Sequence, residues 1–197
     1  MKLVLASHNE KKMTELRRIL EPMGFEVVSP ADADVVSDAD ETGETFAENA
    51  RIKALDIYNK TGLSAVADDS GLCVDALDGR PGVHTALYGG EDLPYPEKMQ
   101  LLLSELGGVP EEKRTARFCC AICCVLTGGE LVETYGECEG WIANRMTGSG
   151  GFGYDPIFMV GDKSFGELPP EEKDIISHRS AALRSLEARL RGYGAEI

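Results

Sequence analysis

Ser64-Ala65-Val66-Ala67-Asp68-Asp69-Ser70-Gly71 reads as a short buried strand, bounded by Gly62 and Gly71, that ends abruptly in two adjacent carboxylates. Successive side chains of a strand point to opposite faces, so Asp68 and Asp69 do not share one solvated edge. A carboxylate at the carboxyl end of a strand sits where open α/β sheets place their ligand crevice. In isolation the same residues also read as a polar strand-to-turn exit, so their neighbours along the chain decide.

Upstream, residues 2–6 read as a buried first strand. Met13, Leu16, Ile19, Leu20 and Met23 then recur at helical spacing up to a stop near Gly24, and residues 25–29 form a second strand. Thr45-Phe46-Ala47-Glu48 fits a capping box, opening a helix that runs to about residue 59, ahead of Gly62. Downstream, residues 72–75 suggest another short strand. Pro96 suits the first turn of a helix carrying Met99, Leu101, Leu102, Leu103 and Leu106 and ended by Gly107 and Gly108. Residues 114–126 and 130–142 resemble a long hairpin turning through Thr127-Gly128-Gly129. Ser177 caps a last helix with Leu183, Leu186 and Leu190 inward and Gly192 as its stop. Strand–helix alternation followed by a β meander predicts an α/β sheet with a lobe, not two independent domains.

With 197 residues, 43% hydrophobic and 27% charged, the chain is of ordinary globular composition and long enough for a sizeable core. No apolar run approaches the roughly 20 residues of a membrane span. The apolar stretch after Lys2 is too short for a signal peptide, so a cytoplasmic location is expected. A formal net charge of −14 disfavours a nucleic-acid or anionic-membrane partner, yet leaves room for a small anionic substrate met by local lysines and a divalent cation. Cys119, Cys120, Cys123 and Cys124 sit in an apolar strand whose alternation sends Cys119 and Cys123 to one face and Cys120 and Cys124 to the other. That geometry does not converge on one tetrahedral ion. Together with Cys73 and Cys138 these thiols are expected to act as small buried hydrophobes.

Four further segments carry chemistry. Ser7-His8-Asn9-Glu10-Lys11-Lys12 joins the first strand to the first helix and offers hydroxyl, amide and ammonium donors suited to polyphosphate; alone, it is equally a capping loop before a basic helix face. Asp40, Glu41 and Glu44 lie at a loop and helix start, where they can supply hard oxygen ligands, and Lys53 follows two turns along; a well-capped charged surface helix is the plainer reading. Gly148-Ser149-Gly150-Gly151-Phe152-Gly153-Tyr154-Asp155-Pro156 lets backbone approach a ligand, with Phe152 and Tyr154 as a stacking face and Asp155 as an acceptor for a base edge. A glycine-rich turn with core aromatics explains it as well. Finally, Ser177 places His178 and Arg179 in a helix's first turn, where cations oppose the dipole unless an anion or electron-rich ligand is present.

The ordered set Ser-x-Asn-x-x-Lys, Glu-Thr-Gly-x-Thr-Phe-x-Glu-Asn-Ala-x-x-Lys-Ala, Ala-Asp-Asp-Ser-Gly-Leu, Pro-Gly-Val, Gly-Gly-Phe-Gly-Tyr-Asp-Pro and Ile-Ser-His-Arg resembles the inosine triphosphate pyrophosphatase family, from Ser7 to the last helix. The resemblance implies an α/β fold with an elongated mixed central sheet flanked by helices and two lobes around an active-site cleft. Residues 1–197 would then be a single nucleoside-triphosphate pyrophosphatase domain, dependent on Mg²⁺ and homodimeric. It implies hydrolysis of ITP, dITP and XTP to the monophosphate and pyrophosphate. By matching motif, Ser7, His8, Asn9, Glu10, Lys11 and Lys12 would bind the triphosphate with help from Lys53. Glu41 and Asp69 would hold the metal, Asp69 also accepting the proton, with Asp68 nearby. Ser70, Phe152, Gly153, Tyr154, Asp155, Lys173, His178 and Arg179 would contact the nucleotide, His178 and Arg179 nearest the base. The chain departs from the pattern at Leu87, where Arg is usual, at His84, where an aromatic is common, and at His8, where a small residue is often found. Two rivals are a phosphatase with an aspartyl nucleophile, which lacks its Asp-x-Asp signature after the first strand, and a nucleotide-binding regulator without turnover.

Overall fold

A computed structural model describes residues 1–192. Seven strands, β1 (Lys2–Leu5), β2 (Glu26–Val28), β3 (Ala65–Val74), β4 (Thr115–Val125), β5 (Leu131–Ile142), β6 (Phe158–Val160) and β7 (Lys163–Ser164), form one sheet in the order β2-β1-β3-β4-β5-β6-β7. β1 pairs in parallel with both β2 and β3, whereas β5–β6 and β6–β7 are antiparallel, so the sheet is mixed. The helices are α1 (Glu10–Leu20), α2 (Phe46–Thr61), α3 (Tyr95–Glu105), α4 (Pro170–Ile176) and α5 (His178–Gly192). The α/β class expected from the sequence is the one observed.

Two compact units share the chain. Among the described residues, the first holds Met1–Asp69, Cys120–Gly136 and residues 179–192; the second holds Ser70–Cys119 and Glu137–His178. In the first, strand alternation sorts the core into two clusters. Leu3, Leu5, Val66, Cys120, Ile122 and Cys124 meet Leu16 and Leu20 of α1 and Leu183, Leu186 and Leu190 of α5. Val4, Ala6, Ala65, Ala67, Ala121, Cys123 and Val125 meet Ala50, Ala54 and Ile57 of α2. The small Ala side chains let α2 lie close to the sheet, and truncating Leu16 or Leu186 to Ala costs about 2–5 kcal/mol. Cys120 and Cys124 fall in one cluster and Cys123 in the other, as the alternation predicts.

The second unit packs Met99, Leu102 and Leu106 of α3 with Leu72, Val74, Tyr154 and the rings of Phe118, Phe158 and Phe165. Lys98 is buried there, its ammonium donating to the carbonyls of Ala86 at 2.8 Å and Gly90 at 2.5 Å, which closes the turn that exposes His84 and Leu87.

Helix ends obey local rules. Asn9 caps α1 by accepting from the Lys12 amide. The capping box at Thr45 and Glu48 is complete, and α2 stops at Gly62, whose φ of 69° is left-handed. Pro96 sits in the first turn of α3.

Two expectations are corrected. β3 does not end at its carboxylates: Ala65–Val74 is one continuous strand, and the separate strand expected at residues 72–75 is its second half. Buried cations for both acids remove the need for a turn into solvent. α4 was absent from the pattern, as were β6 and β7, which are too short to show a period.

Candidate functional site

The first unit concentrates charge on both sides of β3. Asp68 and Asp69 are both buried, at 2% and 8% exposure, and alternation sends Asp69 to the α2 side and Asp68 to the side of α1 and α5. Lys53, two turns into α2, donates through Nζ to Glu41 Oε2 at 2.9 Å and to Asp69 Oδ1 at 3.2 Å. Burial lifts the Asp69 carboxyl, with Glu41 and Asp68 adding to it, and outweighs Lys53 and Lys12, so Asp69 stands above its ordinary value. Burial pulls Lys53 down, but Asp69, Asp68 and Glu41 more than restore it and keep the ammonium charged.

Asn49, which sequence reasoning assigned no role, completes this corner. Its Oδ1 accepts from the Gly43 amide at 2.8 Å and its Nδ2 donates to Asp69 Oδ2 at 3.3 Å. Its sequence signal was its place in the motif Glu-Thr-Gly-x-Thr-Phe-x-Glu-Asn-Ala-x-x-Lys-Ala.

On the opposite face, Asp68 Oδ2 accepts from Arg179 Nε at 3.1 Å and Nη2 at 2.9 Å, and faces Lys12 Nζ at 3.2 Å. Arg179 Nη1 donates to Glu15, a second buried acid that sequence reasoning missed. Burial raises Asp68, yet Lys12, Arg179 and Lys53 together hold it well below the usual range. The Arg179 side chain is 0% exposed and meets two carboxylates. The cation at the start of α5 does have its anion, and Asp68 is that anion. Glu15 sits three residues after Lys12 and four before Ile19, on one helical face, which is the trace it left in the sequence.

At the start of α1, Ser7 Oγ accepts from the Asn9 amide at 3.2 Å, so the loop is pre-shaped. Ser7 and Lys12 are half-buried, while His8, Asn9, Glu10 and Lys11 are exposed. The first-turn amides of this helix form a positive end suited to an anion.

The second unit gathers the other expected residues. Asp155 Oδ2 accepts from the Phe152 amide at 2.8 Å and from Lys173 Nζ at 2.7 Å, and that ammonium lies 4.8 Å from the Phe152 ring centroid. Gly151 is required here, because a Cβ would come within 2.0 Å of Asp155 Oδ2. His178 stacks on Phe118 with centroids 4.8 Å apart and planes 15° from parallel. Ser70, Phe152 and Gly153 are half-buried. Tyr154, expected as a stacking face, is 1% exposed, edge-on to Tyr95, with its hydroxyl donating to the Thr85 carbonyl. Asp155, expected to meet a base edge, ties Phe152 to Lys173.

The donor set of Glu41 and Asp69 fits a hard divalent cation. One oxygen of each already touches the same ammonium, so one cation can be reached by both. Among the described residues no cluster of three or more His, Cys, Asp or Glu converges on a point. A pair of carboxylates, with phosphate oxygens and water for the rest, suits Mg²⁺.

Residues 3–189 match the family model described as the Ham1 family. A dITP/XTP pyrophosphatase of Exiguobacterium is 46% identical over 192 residues, covering 96% of this chain and 97% of that one. One from Bacillus subtilis is 45% identical over 185 residues, 93% of each. Among solved structures, the Staphylococcus aureus Ham1 protein superposes with a TM-score of 0.86 at 36% identity, covering 98% of this chain and 100% of the other. A nucleoside-triphosphatase / dITP/XTP pyrophosphatase of Mycobacterium abscessus gives 0.73 at 45% identity, covering 94% and 98%.

Proposed function

The chain belongs to the Ham1 family, and from there we propose that it hydrolyses deaminated purine nucleoside triphosphates, namely dITP, ITP and XTP, to the monophosphate and pyrophosphate. The observation that carries this reading is the buried Lys53 ammonium shared by Glu41 and Asp69, with Lys12 on the neighbouring Asp68. Acids and amines packed at one place suit a polyanion that travels with a cation.

Water attacks the α-phosphorus and the bond to the departing pyrophosphate breaks. Asp69 takes the proton of that water, and a carboxyl raised by burial is a better base near neutral pH. Lys12 and Lys53 stabilise charge gathering on the pyrophosphate. Ser7, Asn9 and the amides opening α1 hold the phosphate chain, with His8, Glu10 and Lys11 on its exposed side. Glu41 and Asp69 would hold Mg²⁺, which when bound neutralises phosphate charge. The purine is assigned to Ser70, Phe152, Gly153 and His178, with Lys173 and Asp155 fixing Phe152.

His178 donating to O6 favours a 6-oxo purine and leaves adenine's amino group facing another donor. His178→Ala is expected to lower the ITP-over-ATP ratio of kcat/KM by about 10–100-fold, the worth of one hydrogen bond of about 1–3 kcal/mol. Equal proportional losses for both nucleotides would remove His178 from selection.

The same reading takes the whole chain as one domain that forms a homodimer in the cytoplasm. All six cysteines are free thiols, which suits a reducing compartment. The deciding assay supplies ITP, dITP, XTP and ATP with Mg²⁺ and separates products. Pyrophosphate from the first three, and little from ATP, is expected. Orthophosphate as sole product would make the protein a phosphatase, and binding without product would make it a regulator.

A further inference from the structure

We propose that Asn49 is a positioning residue that sets the spacing of Glu41 and Asp69, so that both carboxylates can be presented to one divalent cation; this rests on the pyrophosphatase reading above. Asn49 is 3% exposed and lies in the second half of the first turn of α2. Its two amide atoms do different work. Oδ1 takes the amide of Gly43, two residues beyond Glu41, and Nδ2 gives a hydrogen bond to Asp69 Oδ2. Flipping the amide would set donor against donor at Gly43 and acceptor against carboxylate at Asp69, so its neighbours dictate its orientation.

The loop lies tightly against this side chain. A Cβ on Gly43 would come within 2.7 Å of Asn49 Oδ1 and 2.6 Å of Glu48 Cβ. Lys53 meets Asp69 through Oδ1 while Asn49 meets it through Oδ2, so the carboxylate is gripped at both oxygens. Lys53 also holds the Glu41 carboxylate. Asn49 thus links the backbone that carries one acid to the side chain of the other. Partners of this kind, one step behind a metal's own ligands, are worth about 10–100-fold in affinity or activity.

The alternative is a plain loop anchor, and Glu48 provides the comparison. Glu48 Oε2 accepts from the amides of Glu44 and Thr45 in the same loop and touches neither Asp69 nor Lys53. The test titrates Mn²⁺ into nucleotide-free protein, following free Mn²⁺ by its paramagnetic resonance. It is repeated for wild type, Asn49→Ala, Asn49→Ser and Glu48→Ala, with thermal unfolding of each. Mg²⁺ half-saturation of ITP hydrolysis is measured in parallel. Both Asn49 variants are expected to bind Mn²⁺ about 10–100-fold more weakly and to need correspondingly more Mg²⁺, with KM for ITP unchanged at saturating metal. Glu48→Ala is expected to lose melting temperature while keeping wild-type metal affinity. Wild-type metal affinity in the Asn49 variants, equal weakening in Glu48→Ala, or a wild type that binds no Mn²⁺ would each overturn the proposal. A wild type that binds Mn²⁺ in the expected order but releases no pyrophosphate would overturn the function and leave Asn49's role supported.

Discussion

Asp69→Asn is expected to cut turnover of ITP by about 10²–10⁴-fold, the usual reach of a general base, while the protein stays folded. The amide has the shape of the carboxylate and keeps an oxygen for Lys53, which retains Glu41 as its counter-charge. What is lost is the ability to take a proton, together with the second oxygen, which accepts from Asn49. Burial disfavours the charge at this position, so neutralising it does not cost the fold. The measurement pairs kcat for ITP with a thermal melt. Near-wild-type turnover would place the proton acceptor elsewhere, and a collapsed melt would mean that Asp69 is structural.

The neighbouring residue is expected to do the reverse. Asp68→Ala takes from the fully buried Arg179 the carboxylate that its Nε and Nη2 meet, and removes the acid that Lys12 faces. Breaking one side of a buried ion pair costs about 3–5 kcal/mol. At about 2–4 °C per kcal/mol for a chain of this size, the melting point should fall by roughly 6–20 °C. Asp68 is held below its ordinary range in the folded state, so its contribution is complete above about pH 4 and fades as acid protonates it. The wild type should therefore lose stability on acidification more steeply than Asp68→Asn. An unchanged melt for Asp68→Ala would dismiss the ion network as a stabilising element.

Local chemistry was legible wherever a rule acts within a few residues. The capping box at Thr45 and Glu48, the stop at Gly62, the stripe on α1 and the split of Cys123 from Cys120 and Cys124 all follow from spacing alone. The acids of β3 were misread as a strand end because hydrophobic patterning penalises charge in mid-strand. The partner that permits it lies 111 positions away in Arg179, and Glu15 lies 164 positions from the same guanidinium. No window along the chain contains both members of such a pair. The conflict at Arg179 between cation and helix dipole was visible, but sequence could not say whether the anion was a ligand or a side chain. Tyr154 was ambiguous for a related reason, since an aromatic beside glycines serves a core and a stacking surface equally well. Asn49 went unassigned because a buried amide leaves no periodic trace.

The register of β3 has a consequence for how this gene can change. Val4 faces Ala65 and Leu5 faces Val66, and three residues later the two acids diverge to opposite faces. A single codon gained or lost between Ala65 and Asp68 would swap their destinations, handing Asp69 to Arg179 and Asp68 to Lys53. Point changes here can be graded in their harm, but indels of one triplet cannot, so length in this segment should be far less negotiable than identity at most of its positions.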